Sequence, residues 1–367
     1  MVTFQTFWKG KRVFLTGHTG FKGSWLCLLL EHLGARVTGY SLGTPTQPSL
    51  FELASLKDSM ESVHGDVRDY PLLLKTMQQA QPDVALHLAA QAIVLTSYRE
   101  PVETYSTNVM GTVHFLEAAR HVPSLRTAVV ITSDKCYENR EWPWGYREDE
   151  PMGGHDPYSN SKGCAELVVS AYRRSFFEPG NGKSVASARA GNVIGGGDWA
   201  DNRIIPDCMR AVLAGKPIQI RNPNAIRPWQ HVLEPLYGYL LLAHRLWESP
   251  EKFSEGWNFG SDDSDVRSVG WLAQKIVELW GKDACWQTTG QAQAHEAHHL
   301  KLDCSKAKAV LNWMPRTNLS LAMQWVVDWY KRYQAGEKPY AICRDQIFNF
   351  MALQGSERYE RSSLSIL

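Results

Sequence analysis

The first half of the chain alternates short apolar segments with longer amphipathic ones. The short segments are rich in β-branched residues and predict strands at Arg12 to Thr16, Arg36 to Tyr40, Ser62 to Asp66, Asp83 to Leu88, Thr127 to Ser133 and Ser184 to Ala190. The runs VFLT and AVVITS are almost wholly apolar, which is typical of parallel strands buried on both faces. The pattern therefore predicts an α/β protein built on a doubly wound parallel sheet.

The amphipathic segments between these strands predict helices from Phe21 to Leu33, Tyr70 to Ala80, Pro101 to His121 and Tyr158 to Phe177. After Ala190 the alternation gives way to GNVIGGGDWADNR, a glycine-rich sequence typical of a loop that lines a site. A smaller, mixed α/β lobe for substrate is expected from there. Its predicted elements are a helix at Asn202 to Ala214, a strand at Ile218 to Ile220, a helix at Val266 to Trp280 and a closing segment at Ser305 to Gly336.

We expect the helix at Val232 to Trp247 and the strand near Trp257 to Phe259 to return to the large sheet. The predicted division is therefore a cofactor domain of residues 1–190, joined by 232–262, and a substrate lobe of residues 191–231 and 263–340. Residues 341–367 are expected to form a C-terminal tail.

Charge and composition exclude several classes of partner. Lys and Arg number 39 against 38 Asp and Glu, so no overall field attracts nucleic acid or an acidic membrane surface. The seven cysteines lack the spacing of a zinc site, and we expect reduced thiols in a cytoplasmic protein. The N-terminus lacks the order of a signal peptide, and the longest apolar runs are too short to span a bilayer. We predict no metal and no membrane association.

Three glycines, Gly17, Gly20 and Gly23, lie between the first strand and the first long helix. Glycine at such a turn allows backbone N–H groups and a helix N-terminus to approach a pyrophosphate. The alternative is a purely structural turn. The Gly-x-x-Gly-x-x-Gly spacing resembles the extended short-chain dehydrogenase/reductase family of NAD-dependent epimerases and dehydratases, which implies a Rossmann-type fold and NAD as cofactor.

Other segments carry the same resemblance, including the phrases Asp303-Cys304-Ser305-Lys306-Ala307 and Asn312-Trp313-Met314-Pro315 near the end. The positions that it implies as cofactor contacts are Gly17, His18, Gly20, Phe21, Gly23, Asp66, Val67, Leu88, Ala89, Ala90, Asn108, Tyr158 and Lys162. His18 and Lys22 are unusual within the glycine turn, and they are expected either to touch phosphate or to be solvated.

The second strand departs from the usual pattern because it ends Gly39-Tyr40-Ser41-Leu42, without the acidic residue that accepts both ribose hydroxyls. The choice of NAD over NADP therefore follows from the resemblance alone. We hypothesise that the missing carboxylate weakens the grip on the adenosine half, so that NAD exchanges between turnovers.

Tyr158 and Lys162 are one helical turn apart, so both side chains project from one face of the helix. An ammonium beside a tyrosine hydroxyl stabilises the phenolate and favours its use as a general base. Such a pair is common on exposed helix faces. Its place after the fifth strand favours the catalytic interpretation.

The fifth strand leads into Ser133, Asp134 and Lys135 at the carboxyl edge of the sheet, where ligands of open α/β folds bind. A surface ion pair with a serine turn is the alternative. Dehydratases of the resembled family carry Thr-Asp-Glu at this point, and epimerases lack the acid pair. Ser-Asp-Lys followed by Tyr137-Glu138-Asn139 is similar to the dehydratases that act on CDP-glucose.

The resemblance implies a hydro-lyase that converts CDP-D-glucose to CDP-4-keto-6-deoxy-D-glucose for dideoxysugar and O-antigen synthesis. Tyr158 is expected to remove the O4 proton, with Ser133 and Lys162 supporting it. Asp134 is expected to protonate the departing C6 hydroxyl. Lys135 stands at the position of the C5 base, or it only positions the substrate while water is the base.

Candidate ligands for the nucleotide diphosphate are Asn192, Arg203, Arg221 and Arg227, since a guanidinium pairs two phosphate oxygens at once. Arg227-Pro228-Trp229 resembles a phosphate-binding element of the family, whereas Arg203 and Arg221 are equally open to structural roles. The two long helices from Pro101 and Tyr158 predict a homodimer or a dimer of dimers.

Two other functions stay open at this level. One is a nucleotide-sugar 4-epimerase, or a dehydratase of another nucleotide sugar, on the same scaffold. The other is a non-catalytic NAD-sensing module, which would have little use for Tyr158 and Lys162. The sequence alone does not locate the groups that read the base.

Overall fold

The computed structural model describes residues 3–178, 180, 182–281, 284–289 and 300–353. Strands in these ranges are β1 (Arg12–Thr16), β2 (Arg36–Ser41), β3 (Glu61–His64), β4 (Val84–His87), β5 (Thr127–Ile131), β6 (Ser184–Ala190), β7 (Asn192–Ile194), β8 (Ile218–Ile220), β9 (Ile226–His231), β10 (Gly256–Phe259), β11 (Val266–Ser268) and β12 (Trp286–Thr288).

Helices in the same ranges are α1 (Phe4–Trp8), α2 (Phe21–His32), α3 (Leu50–Leu53), α4 (Tyr70–Ala80), α5 (Val94–Arg99), α6 (Pro101–Tyr105), α7 (Gly111–Arg120), α8 (Pro157–Phe176), α9 (Ile204–Leu213), α10 (Leu233–Glu248), α11 (Pro250–Phe253), α12 (Val269–Trp280), α13 (Leu319–Gln334) and α14 (Pro339–Ala352). A π-helical segment, Ser106–Met110, joins α6 to α7, and a second one covers Ala307–Leu311.

The central sheet has seven strands in the order β10-β6-β5-β4-β1-β2-β3, and every neighbouring pair is parallel. The prediction of a doubly wound parallel sheet is confirmed. The order changes direction between β1 and β4, and ligands of such sheets bind in the crevice at the carboxyl ends beside that switch. Strand β10 extends the sheet beyond β6.

Apolar side chains cover both faces of this sheet. On one face, the cluster includes Phe14, Leu73, Met77, Phe115 and Val169, from β1 and helices α4, α7 and α8. On the other, helices α2 and α10 contribute the buried leucines Leu26, Leu29, Leu236, Leu240 and Leu242. Burial on both sides explains why the strand sequences are continuously apolar instead of alternating.

The remaining strands form two small sheets. One has the order β11-β9-β7, with β9 parallel to β7 and antiparallel to β11. The other pairs β12 with β8 in parallel. Strand β7 follows β6 after one residue, so the three-stranded sheet begins directly at the edge of the crevice.

Two sequence expectations about element bounds are wrong. Val266 to Ser268 is strand β11, because it pairs with β9, and the helix begins only after Ser268 caps it by accepting from Trp271 N. Helix α9 begins at Ile204, since Asn202 has a left-handed φ of 60° that a helix does not allow. The closing segment of residues 305–336 divides into a π-helical turn, a loop and α13.

Residues 341–352 of the expected C-terminal tail lie within helix α14. This helix buries Ile342, Ile347 and Phe350 against the rest of the molecule and contacts α2 and α13. Residues 354–367 lie outside the described residues. Among the helices that the structure describes, none is long and apolar enough to cross a membrane. All seven cysteines are free thiols.

Candidate active site

The glycine turn between β1 and α2 is packed too tightly for a side chain. Gly17 has a φ of 76°, and a β-carbon there would lie 2.7 Å from the backbone N of Ala89. A β-carbon on Gly23 would lie 2.1 Å from the carbonyl oxygen of Gly17. Gly20 is the N-cap of α2. The backbone at the start of α2 is therefore bare, as a pyrophosphate-binding turn requires.

The ends of β1 and β4 are joined beside this turn. The hydroxyl oxygen of Thr16 accepts hydrogen bonds from the backbone N–H groups of Leu88 at 3.1 Å and Ala89 at 3.2 Å. It also contacts Nδ1 of His87 at 2.8 Å. Leu88, Ala89 and Ala90 are consequently held, half-buried, at the carboxyl edge of the sheet.

His18 is fully buried, so the expectation of a solvated side chain is wrong. Its Nε2 contacts the Ser62 hydroxyl at 2.7 Å, and its ring fills the space that a β-carbon on Gly39 would occupy. Burial lowers the pKa of His18 to about 4, so the ring is neutral at pH 7. The ring packs inside the protein and carries no charge for a phosphate.

The end of β2 carries no carboxylate. The Tyr40 ring is buried beneath Gly65, and its hydroxyl donates to the carbonyl oxygen of Asp66 at 2.8 Å. The next residue, Ser41, contacts the hydroxyl of Thr19 at 2.8 Å. Hydroxyl groups thus occupy the position where an acidic residue would face the adenosine ribose.

Asp66 is already engaged in an ion pair. Arg68 Nε lies 3.0 and 2.9 Å from its two carboxylate oxygens, and this hydrogen bond helps hold the pKa of Asp66 below its usual value. Arg68 also pairs with Glu103 on α6. Val67 packs so closely that a β-carbon on Gly111 would lie 2.7 Å from its Cγ2.

Asn108 connects the loop after β4 to helix α8. Its Oδ1 accepts from Gln91 N at 2.8 Å, while its Nδ2 donates to Gln91 O at 3.0 Å and to Ser161 Oγ at 2.8 Å. Asn108 lies in the π-helical segment between α6 and α7 and is buried. Its amide therefore fixes α8 relative to the cofactor edge of the sheet.

Tyr158 and Lys162 lie in the first turns of α8, which starts at Pro157 and is capped by Asp156 accepting from Ser159 N at 2.9 Å. Both side chains are buried. Burial raises the pKa of Tyr158 to about 12, against a hydrogen bond with Ser133 that lowers it. Burial lowers the pKa of Lys162 to about 8.

Ser133, Asp134 and Lys135 follow β5, where a short 3-10 turn covers Asp134–Cys136. The Ser133 hydroxyl donates to Asp134 Oδ1 at 2.9 Å and accepts from Lys135 N at 3.2 Å. The Asp134 carboxyl is buried, and a β-carbon on Gly191 would lie 3.3 Å from its Oδ2. Lys135 is half-buried. The structure thus places Ser133 between Tyr158 and Asp134.

Lys22 is half-buried, with its ammonium turned into this pocket, so it is not a freely solvated side chain. Nζ donates to the Tyr239 hydroxyl at 3.2 Å. Burial, reinforced by the charges of Arg203 and Lys162, lowers the pKa of Lys22 to about 7, and Asp134 opposes the shift. The sequence did not predict Tyr239 on α10 as a site residue, because it lies in an apolar segment that is typical of any buried helix.

The predicted diphosphate ligands are spread along the second lobe. Arg203 pairs with the buried Asp198 at 3.2 Å, and its charge lowers the pKa of Tyr158, so it lies at the catalytic end. Asn192 opens β7 opposite Trp229 of β9. Arg227 lies on β9, and the exposed Arg221 follows β8. Within the described residues, no group of three or more His, Cys, Asp or Glu side chains is arranged for a metal ion.

The geometry defines a protein of the dinucleotide-dependent dehydrogenase/reductase class, with a buried tyrosine, lysine and serine at the sheet edge. A family model described as GDP-mannose 4,6-dehydratase matches residues 14–324. A CDP-glucose 4,6-dehydratase of Salmonella typhimurium is 55% identical over 352 residues, covering 95% of this chain and 98% of that protein. The chain belongs to the GDP-mannose 4,6-dehydratase family.

Solved structures share the fold at lower identity. An epimerase from Methanothermobacter thermautotrophicus aligns with a TM-score of 0.77 at 22% identity, covering 90% of this chain and 95% of its own. A dTDP-glucose 4,6-dehydratase from Streptomyces venezuelae, with NAD bound, aligns with a TM-score of 0.74 at 22% identity, covering 90% and 99%. Epimerases and dehydratases thus share this scaffold, so the side chains in the pocket must decide the reaction.

Proposed function

We propose that this protein converts CDP-D-glucose to CDP-4-keto-6-deoxy-D-glucose with NAD as cofactor. The observation that carries the proposal is the buried carboxyl of Asp134, held by Ser133 next to Tyr158. An epimerase needs only the tyrosine end of this arrangement, whereas elimination of water needs an additional acid. The 55% identical relative supports CDP-glucose as the substrate.

The glycine turn fits the cofactor, because β-carbons at Gly17 and Gly23 would collide with neighbouring backbone atoms. The residues that would hold NAD are Gly17, His18 through its backbone, Gly20, Phe21, Gly23, Asp66, Val67, Leu88, Ala89, Ala90, Asn108, Tyr158 and Lys162. When bound, NAD accepts a hydride from C4 of the sugar and later returns it to C6.

Tyr158 takes the proton from O4 as the C4 hydride departs, and Ser133 donates a hydrogen bond to that oxygen. The C4 ketone makes the C5 proton acidic, and Lys135 removes it. Asp134 then gives a proton to the C6 hydroxyl, which leaves as water, and the C5–C6 double bond accepts hydride at C6 and a proton at C5. The proton that C5 takes up comes from Lys135, which removed it earlier, and no cofactor is consumed.

The second lobe, residues 191–231 and 263–340, binds the nucleotide in this proposal. Arg203 lies at the sugar end, since its charge reaches Tyr158 and Lys22. Arg221 and Arg227 would neutralise the diphosphate, and the neutral amide of Asn192 would add a hydrogen bond. Guanidinium groups suit this task because they remain charged at any working pH.

We further propose a cytoplasmic homodimer, or a dimer of dimers, that supplies dideoxysugar synthesis for lipopolysaccharide. A groove along α6 and α8 supports the dimer: it is lined by Pro101, Val102, Tyr105, Val109, Met110 and Cys164. Val102 is 81% exposed and Met110 is 46% exposed. Apolar side chains left open on two neighbouring helices are typical of a subunit interface.

Incubation with NAD and a panel of CDP-, dTDP-, UDP- and GDP-sugars tests the activity. CDP-glucose is expected to yield a 4-keto-6-deoxy product, detected by its alkali-induced chromophore. Product from another sugar alone would overturn the substrate assignment. Conversion to an epimer without chromophore would favour the epimerase, and inactivity with the whole panel would favour a cofactor-sensing module.

A further inference from the structure

A buried carboxylate lies one helical turn beyond Lys162 on α8. Glu166 is 4% exposed, and both of its oxygens are hydrogen-bonded. Oε1 accepts from the Thr132 hydroxyl, and Oε2 accepts from Ser187 Oγ at 2.7 Å and Arg189 Nη2 at 2.8 Å. A buried charge with every partner satisfied is costly to assemble, and removing one partner is strongly destabilising.

The partners of Glu166 bracket the catalytic segment. Thr132 immediately precedes Ser133, and Arg189 reaches the other end of the segment by donating to the Tyr137 hydroxyl at 2.6 Å. Tyr137 in turn donates to Asn258 Oδ1 at 2.8 Å. The residues between these two anchors, Ser133 to Cys136, are therefore held from both sides by one buried ion pair.

We propose that Glu166 is a positioning residue, which fixes the Ser133 to Lys135 segment against helix α8 and places a buried carboxylate one helical turn from Lys162. This proposal rests on the proposed function, in which Lys162 supports Tyr158 as the base. The hydrogen bonds of Glu166 go to Thr132, Ser187 and Arg189, so it would act through these neighbours.

The groups that face Lys162 come from four elements. Glu166 lies on α8, Cys136 on the turn after β5, His87 on β4 and Lys22 on α2. Burial lowers the pKa of His87 to about 3 and raises the pKa of the Cys136 thiol, so both are uncharged at pH 7. Lys22 repels the Lys162 ammonium, and Glu166 attracts it.

Burial disfavours the charged forms of both Glu166 and Lys162, yet Glu166 stays ionised. Burial raises the pKa of Glu166. The charge of Arg189 and the hydrogen bonds from Arg189, Thr132 and Ser187 lower this pKa below its ordinary value. The carboxylate is therefore negative across the working pH range. It opposes the fall that burial imposes on the pKa of Lys162.

The test measures Lys162 directly, by the 13Cε chemical shift of the lysine in labelled full-length protein, assigned with Lys162→Arg. In Glu166→Gln the titration midpoint is expected to fall by about one pH unit, which is the scale of one close charge interaction. Ser187→Ala is the matched control, because it removes a hydrogen bond to the same carboxylate but keeps the charge. In this variant the titration midpoint of Lys162 should stay at the native value.

Thr132→Val separates the two roles. It removes the hydrogen bond from Thr132 to Glu166 at the start of the catalytic segment without changing any charge. We therefore expect kcat to fall at least tenfold while the Lys162 titration midpoint stays unchanged. A native kcat in Thr132→Val would overturn the positioning role. A native midpoint in Glu166→Gln would overturn the electrostatic role.

If Glu166→Gln does not fold, the double variant Glu166→Gln, Arg189→Met removes both members of the buried pair and leaves no unpaired charge. A smaller fall in the Lys162 midpoint is expected there, because loss of the Arg189 charge partly offsets loss of the carboxylate. An unchanged or raised midpoint would contradict the proposal. Because the titration needs no substrate, failure of the native protein to dehydrate CDP-glucose would reject the proposed function without affecting this test.

Discussion

Burial works against the proton transfer that is proposed for Tyr158. It raises the pKa of the tyrosine to about 12, whereas a general base is most effective near the working pH. The hydrogen bond with Ser133 and the charge of Arg203 act in the opposite direction. Burial lowers the pKa of the two ammonium groups in the same pocket, Lys22 to about 7 and Lys162 to about 8.

At the residue scale, the sequence predicted the meeting of Tyr158, Lys162, Ser133 and Asp134, because strand order and helical spacing determine where these side chains emerge. It did not predict the burial of His18, which depends on the absence of a β-carbon at Gly39, a residue on another strand. The sequence also did not predict the environment of Lys22, because its contact with Tyr239 joins positions 217 residues apart.

Lys135→Ala tests the assignment of the C5 base. Oxidation at C4 should continue while elimination stops, because the side chain that removes the C5 proton is gone. The alkali-induced chromophore is expected to disappear, and reduced cofactor should accumulate in a single turnover. NAD affinity serves as the control and should stay native. Unaltered turnover would show that Lys135 is not the base.

At the scale of elements, the parallel sheet and its helices follow from hydrophobic patterning, and most of their bounds lie within two residues of prediction. The errors occur where tertiary pairing decides the structure. Residues 266–268 match a helical pattern but pair with β9. The sequence did not predict helix α14, because its polar and apolar residues are mixed and its helical structure depends on packing against α2 and α13.

Gly23→Ala tests the turn between β1 and α2. The new methyl group would lie 2.1 Å from a backbone oxygen, so the start of α2 has to move away from the phosphate position. NAD affinity is expected to fall at least tenfold, measured by calorimetric titration. Gly43→Ala is the matched control, because a β-carbon there meets no atom within 4 Å. Equal NAD affinity in both variants would contradict a phosphate site at this turn.

At the scale of the whole molecule, several buried histidines couple stability to pH. Burial lowers the pKa of His231 and His87 to about 3 each and that of His18 to about 4. Unfolding exposes them and restores a pKa near 6.5, so the unfolded state binds more protons in acid. Above about pH 6.5 these histidines are largely neutral in both states, so they hardly change the free energy of unfolding. As the pH falls toward 4, the unfolded state binds protons that the folded state does not, and the free energy of unfolding decreases.

The free energy of unfolding should therefore fall by roughly 1 kcal/mol for each of these histidines between pH 7.5 and 5.5. Urea titrations at the two pH values measure it. His231→Phe keeps a ring beside Trp25 and Trp325 but removes one titrating group, so it should lose less stability than the native protein. An equal loss would show that His231 does not contribute.

In the proposed mechanism, one pocket oxidises C4, eliminates water and reduces C6 of the same sugar. The most direct measurement uses CDP-glucose carrying deuterium at C4, followed by NMR of the product. We expect a 4-keto-6-deoxy sugar with the deuterium at C6, because the hydride leaves and returns within one active site. Deuterium that stays at C4, in substrate or in an epimer, would contradict it.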